Sequence, residues 1–138
     1  MTKSYLKDLT HQINSAALEV HEFLGPGLLE DVYEKCLRKE LAERGISFQT
    51  GLSVPVKFKG IELETNLKCG IFVENCIVVE SKAIQSIESI HQAEILTYMK
   101  LLDAPVGILF NFHTVNLFGE GQKTFVNEVY RNNFGSHG

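Results

Sequence analysis

Two short apolar segments constrain the fold of this chain more than any other feature. The first, Ile77-Val78-Val79, leads directly into Glu80-Ser81-Lys82, and the second spans residues 106–112. Apolar runs of this length are typical of strands that are buried in a sheet. The segment between them, residues 84–102, carries apolar residues at helical spacing. Because a strand, a helix and a strand in succession form a crossover connection, we predict that the two apolar strands are parallel neighbours.

The segments before this unit predict two helices and a set of antiparallel strands. Apolar residues at helical spacing indicate helices over residues 5–24 and 28–44, and Gly25-Pro26-Gly27 separates them because proline cannot continue a helix. Alternating apolar and polar residues over 46–67 predict one antiparallel hairpin that turns at Lys59-Gly60. Two further strands are expected at residues 70–73 and 76–82, with a tight turn at Glu74-Asn75 between them.

The order of these elements predicts an α/β fold, a three-layer-like sandwich in which helices flank a mixed central sheet. Short strands or a terminal turn over residues 116–118 and 124–130 complete the prediction, and the tail from about residue 131 is expected to be loosely ordered. A chain of 138 residues fits a single domain, residues 1–138.

The charge and hydropathy pattern narrows the expected surroundings of the protein. No apolar run approaches the roughly 20 residues that cross a bilayer, and the first residues lack the apolar core of a secretory signal. We therefore expect a cytoplasmic protein with no membrane partner. The net charge of −4 argues against a surface devoted to nucleic acid, but it is compatible with a local basic groove. The oligomeric state is left open.

Three acids and one lysine fall where the predicted elements turn toward the protein interior. A strand places Glu80 and Lys82 on one face. On the second helix Glu30 lies close to the apolar face, although an acid at a helix N-terminus is also favoured by the helix dipole, by about 0.3–1 kcal/mol. On the third helix Glu94 lies seven residues from Ile87, so we expect it on the same side.

Carboxylates that are brought together repel one another unless a cation compensates their charge. Hard divalent cations prefer oxygen ligands, so Mg²⁺ or Mn²⁺ is the expected cofactor. Such a cation polarises a phosphoryl oxygen and lowers the pKa of its water, and a nearby lysine can stabilise an attacking hydroxide. The predicted chemistry is therefore phosphodiester hydrolysis. An ordinary salt bridge of Glu80 with a basic group, without any ligand, also fits the spacing.

The spacing of Gly27, Glu30 and Tyr33 resembles the pattern that names the GxxExxY protein family, a branch of the PD-(D/E)XK nuclease superfamily. Glu80-Ser81-Lys82 looks like the ExK motif of that superfamily. The resemblance spans about residues 19–112 and includes Gln49-Thr50-Gly51, residues 77–83, His91, Tyr98 and residues 107–112.

The resemblance implies a restriction-endonuclease-like core and a metal-dependent nuclease that acts on nucleic acid. It assigns catalysis to Glu80 and Lys82, metal binding to Glu80 and Glu30, and substrate binding to His91 and Tyr98. The plain salt bridge of Glu80 fits the spacing but not these family motifs.

Two positions depart from the family pattern. Gly70 stands where family members usually carry a metal-binding aspartate, and Glu94 stands where they usually carry a glutamine. One hypothesis is that Glu94 replaces the missing acid and serves as a metal ligand. The alternative is a catalytically inactive binding or assembly module that retains the nuclease fold.

Overall fold

A five-stranded sheet lies between helices in the computed structural model, which describes residues 2–127. The helices are α1 (Lys3–Leu24), α2 (Glu30–Glu43) and α3 (Ser89–Leu102). The strands are β1 (Phe48–Ser53), β2 (Val56–Phe58), β3 (Ile61–Leu63), β4 (Lys68–Val73), β5 (Ile77–Lys82), β6 (Val106–Asn111) and β7 (Gln122–Val126).

The large sheet has the strand order β1-β4-β5-β6-β7, while β2 and β3 form a separate hairpin. Strands β5 and β6 are parallel, with Ile77 opposite Val106 and Lys82 opposite Asn111, and α3 connects them. The other neighbouring pairs of the large sheet are antiparallel. The predicted α/β class and the predicted crossover are both confirmed.

Apolar residues fill a layer on each face of the sheet, because successive residues of a strand point to opposite faces. Ile108 and Phe110 of β6 belong to a buried cluster that includes residues of α1 and α2, among them Ile13 and Leu37. Leu109 belongs to a second cluster, which contains the buried residues of α3. Helices therefore cover both faces, as the sandwich prediction required.

Helix α3 lies very close to β6. A Cβ atom at Gly107 would lie 2.6 Å from Sδ of Met99 and 3.2 Å from Cδ1 of Ile95, so only glycine permits this approach without displacing those side chains. Ile95 and Met99 are the buried residues of the helix, whereas Ile90 is 61% exposed. The predicted start at residue 84 was wrong, because the backbone of Ile84 is hydrogen-bonded to a side chain of β6 and the helix begins at Ser89.

The prediction of one hairpin over residues 46–67 was only partly correct. Strand β1 pairs with β4 in the large sheet, and the hairpin consists of β2 and β3 alone. Pro55 separates β1 from β2, because proline has no N–H to donate to a continuing ladder. The turn does fall at Lys59-Gly60, where both residues have positive φ. The turn at Glu74-Asn75 is confirmed in the same way.

The segment after β6 differs from the prediction. Residues 117–121 form a short π-helical turn, and the Asn116 side chain accepts a hydrogen bond from the N–H of Gly119. Of the two alternatives predicted at 116–118, the strand was therefore wrong and the turn agrees with the structure. Strand β7 covers the first part of the strand predicted at 124–130, while residues 128–130 and the tail from about residue 131 lie outside the described residues.

No helix within residues 2–127 combines the length and the apolar composition that crossing a membrane requires.

Candidate active site

Glu80 lies near the end of the central strand β5. Ile71 of β4 pairs with Val79, so the register places Gly70 opposite Glu80, and the N–H of Gly70 donates a hydrogen bond to Glu80 Oε1 at 3.3 Å. Burial raises the pKa of Glu80 to about 7; the hydrogen bond from Gly70 and the charge of Lys82 act in the opposite direction. The negative charges of Glu34 and Glu30 add to the increase in this pKa.

Lys82 follows two residues later and lies beside α3. Its Nζ atom is 3.8 Å from Oε2 of Glu94, and the lysine side chain is 19% exposed while that of Glu94 is 46% exposed. The expectation that Glu94 points inward was wrong, because the buried face of α3 is set by Ile95 and Met99 and leaves Glu94 at its margin. From that margin Glu94 still reaches the lysine of the ExK-like motif.

Asn111 holds the chain where it leaves β5. Its side-chain Nδ2 donates to the carbonyl of Ile84 at 2.9 Å, and its side-chain Oδ1 accepts from the N–H groups of Ile84 and His113 at 3.1 and 3.2 Å. Asn111 is buried and pairs with Lys82 in the sheet. Sequence reasoning missed this residue, although a polar side chain within an otherwise apolar strand was a usable signal.

The glycine and the tyrosine of the GxxExxY-like motif shape the corner between α1 and α2. Gly27 has φ +103°, a conformation that favours glycine. The hydroxyl of Tyr33 donates to the carbonyl of Gly25 at 2.6 Å and accepts from the N–H of Leu28 at 3.0 Å. The Tyr33 ring is buried and stacks on Phe112, with 4.7 Å between centroids.

This corner determines where Glu30 lies. Glu30 is the first residue of α2, and its side chain is exposed. The expected inward orientation was wrong, because the buried residues of α2 begin one turn later, at Tyr33. Glu30 nevertheless contributes to the negative potential at Glu80.

Glu34 was not singled out by sequence reasoning, yet it lies against β4 at Gly70. A Cβ atom at position 70 would clash with Oε1 of Glu34. The other carboxylate oxygen, Oε2, accepts a hydrogen bond from Arg38 Nη2 at 2.7 Å. The available signal was the helical spacing, because Glu34 is four residues after Glu30 and so shares its side of α2.

The two predicted substrate-binding residues lie on α3. Tyr98 is half-buried, and burial raises the pKa of its hydroxyl, with further increases from the charges of Glu80 and Glu94. The structure therefore brings Tyr98 near Glu80. His91 has a local role, because its Nδ1 accepts a hydrogen bond from the N–H of Glu88 at 2.9 Å at the start of the helix. Substrate binding by either residue stays a prediction.

The donor chemistry of this region suits a hard divalent cation. Glu80 accepts a hydrogen bond from Gly70, and Glu34 occupies the space beside the same residue. Within residues 2–127 no cluster of three or more His, Cys, Asp or Glu side chains is arranged to hold a metal. Mg²⁺ is commonly held by only one or two carboxylates, and water and substrate phosphates complete its coordination. Glu34 and Glu80 fit such a cation.

The fold and the ExK-like triplet on its central strand together define a nuclease-like α/β protein. A family model of the PD-(D/E)XK nuclease superfamily matches residues 7–124, and the chain therefore belongs to this superfamily. No curated protein and no solved structure matches the chain.

Proposed function

We propose that this protein is a nuclease of the GxxExxY branch that hydrolyses phosphodiester bonds in nucleic acid and depends on Mg²⁺ or Mn²⁺. The observation that carries the proposal is the environment of Glu80. This carboxylate is largely withdrawn from water, and the charges of Glu34 and Glu30 oppose its ionisation. A buried acid surrounded by other acids is stabilised in its charged form by a cation.

The residues of the site divide the work of hydrolysis among them. The cation, when bound, supplies Lewis-acid polarisation of the phosphoryl oxygen. Glu80 would hold the cation, and Lys82 would place its ammonium beside Glu80, where it could orient the attacking water and stabilise the negative charge that develops at phosphorus. Glu94, which contacts Lys82, limits the positions that this ammonium can take.

Four further residues besides Glu80 and Lys82 are given roles in this proposal, namely Glu30, Glu94, Tyr98 and His91. The sequence offers Glu30 and Glu94 as further candidate cation ligands, and the contact of Glu94 with Lys82 makes Glu94 the weaker of the two candidates. The Tyr98 hydroxyl is proposed as a hydrogen-bond donor to substrate; burial raises its pKa further above neutral pH. His91 is proposed to contact substrate from the start of α3. A cytoplasmic location is proposed on the sequence grounds already given.

A second candidate function is a catalytically inactive binding or assembly module. The observation that favours it is that position 70 carries no side chain, while Glu34 beside it is already paired with Arg38. A nuclease fold in this state can bind nucleic acid without cleaving it.

A cleavage assay on single-stranded, duplex and branched DNA and on RNA, with Mg²⁺, Mn²⁺ or chelator, separates the two functions. We expect cleavage that requires the cation and falls about 10²-fold or more in Glu80→Gln and Lys82→Ala, a loss comparable to removing one electrostatic stabiliser of a transition state. Glu19→Gln and Lys100→Ala change exposed residues of the same types and should retain activity. Nucleic-acid binding without cleavage would favour the inactive module, and cleavage unaffected by Lys82→Ala would contradict the mechanism.

A further inference from the structure

Glu34 lies so close to Gly70 that it would clash with any side chain at position 70. Gly70 is the position at which the ExK-like site lacks an acid, and Oε1 of Glu34 lies within clashing distance of the place that the Cβ atom of the missing side chain would take. A carboxylate oxygen is therefore present at this place in the site. It comes from α2 instead of from β4.

The two oxygens of Glu34 have different surroundings. Oε2 is held by Nη2 of Arg38 at 2.7 Å, whereas Oε1 faces Gly70. The ion pair restrains the carboxylate, since the side chains of Arg38 and Glu34 are only 34% and 23% exposed. One oxygen thus anchors the side chain, and the other is turned toward the strand that also contacts Glu80.

Glu80 is the second carboxylate at Gly70. Its Oε1 atom accepts the hydrogen bond from the Gly70 N–H, so both carboxylates approach the same residue. They are also close enough for the charge of Glu34 to act on Glu80. Two carboxylates that approach one residue are an adequate protein contribution to a Mg²⁺ or Mn²⁺ site whose other ligands are water and substrate.

We propose that Glu34 supplies from α2 the carboxylate that β4 lacks at Gly70, and that Glu34 and Glu80 are the protein ligands of the divalent cation. This inference rests on the proposed nuclease function and names a ligand for it. It places the replacement on α2 and not at Glu94 of α3, because Glu94 contacts Lys82 while Glu34 lies at Gly70 itself.

The test measures Mn²⁺ affinity by titration calorimetry in the full chain without nucleic acid. Glu34→Gln should weaken binding by about tenfold or more, since even residues that only support metal ligands typically contribute 10–100-fold to affinity. Glu94→Gln should weaken binding clearly less than Glu34→Gln, because the Glu94 carboxylate is half exposed and contacts Lys82. Equal affinities of the native chain and Glu34→Gln would overturn the proposal.

A double variant that moves the carboxylate from position 34 to position 70 provides a second test, in which the expected result is a gain of affinity. A gain of affinity cannot be explained by partial unfolding of a variant. Gly70 does not have a positive φ, and the atom that obstructs a Cβ there belongs to the end of the Glu34 side chain. Glu34→Ala combined with Gly70→Asp therefore moves the acid from α2 to β4. We expect the double variant to bind Mn²⁺ at least about tenfold more tightly than Glu34→Ala alone. No gain over Glu34→Ala would count against the proposal.

Arg38→Gln is the matched control, because it breaks the same ion pair but keeps the carboxylate. It should weaken Mn²⁺ binding less than Glu34→Gln does, because it removes only the restraint on a carboxylate that stays in place. A loss as large as that of Glu34→Gln would show that the ion pair, and not a ligand role of Glu34, accounts for the effect. Cation-dependent cleavage that survives in Glu34→Gln at native metal affinity would overturn this inference and leave the proposed function intact. A native chain that neither binds Mn²⁺ nor cleaves would remove both.

Discussion

Nζ of Lys82 lies 3.8 Å from Oε2 of Glu94, which joins the end of β5 to the exposed margin of α3. The lysine is largely covered and the glutamate is half exposed, so the pair is a partly solvated contact. Such a contact contributes little to stability. It does limit the directions that the Lys82 ammonium can take beside Glu80.

Glu94→Gln should therefore lower the cleavage rate modestly. Exposed ion pairs contribute about 0.2–1 kcal/mol, which corresponds to at most about a fivefold loss of rate. Single-turnover cleavage with saturating Mg²⁺ measures this effect directly. A loss of several hundredfold, with weakened Mn²⁺ binding, would instead support Glu94 as the replacement ligand.

The raised pKa of Glu80 predicts how the stability of the metal-free protein depends on pH. Burial raises this pKa from 4.5 to about 7, so the folded state binds the proton more tightly than the unfolded chain does. The stabilising contribution of protonated Glu80 is complete below about pH 4.5 and is lost as the pH rises through about 7. The difference amounts to ~3 kcal/mol, at 1.36 kcal/mol for each pKa unit.

Urea unfolding of the native chain and of Glu80→Gln between pH 4.5 and 8, in the presence of chelator, checks this dependence. The native chain should lose stability relative to the variant as the pH rises, since a glutamine does not titrate. Parallel pH profiles for the two proteins would show that Glu80 ionises normally in the folded state.

Tyr33→Phe tests the role of the tyrosine in the corner between α1 and α2. The variant keeps the stacking on Phe112 but leaves the carbonyl of Gly25 and the N–H of Leu28 without the hydroxyl. We expect a loss of about 1–3 kcal/mol in the free energy of unfolding, the usual range for leaving buried polar groups unpaired. Tyr5→Phe, at a more exposed tyrosine of α1, is the control and should be nearly neutral.

Asn111→Ala tests the anchor at the end of β5. The substitution removes three hydrogen bonds to the backbone of Ile84 and His113 from a buried position, and we expect a loss of about 2–4 kcal/mol. Asn116→Ala removes one side-chain hydrogen bond from an exposed residue and should cost less than about 1 kcal/mol. Equal unfolding free energies for the two variants would contradict the assigned role.

The parts of the fold that depend on neighbouring residues in the chain were predictable. The helical spacing of Leu6, Leu9 and Ile13 predicted α1, and the apolar strands β5 and β6 predicted the crossover with α3. The predicted start of α3 failed because Asn111 captures the backbone of Ile84, a contact between residues 27 positions apart. Hydrophobic periodicity does not carry information about such a contact.

In the candidate site, too, the features that depend on neighbouring residues were predictable and the contacts between distant elements were not. Glu80 and Lys82 could be identified from the chain alone, because strand geometry places residues i and i+2 on one face and their order is a recognisable motif. The nearness of Glu34 to Gly70 could not be identified in this way, because it depends on how α2 packs on the sheet. The missing side chain at position 70 is itself the reason that a glutamate from another element fits there. Local sequence pattern decides which residues an element presents, whereas packing between elements decides which of them meet.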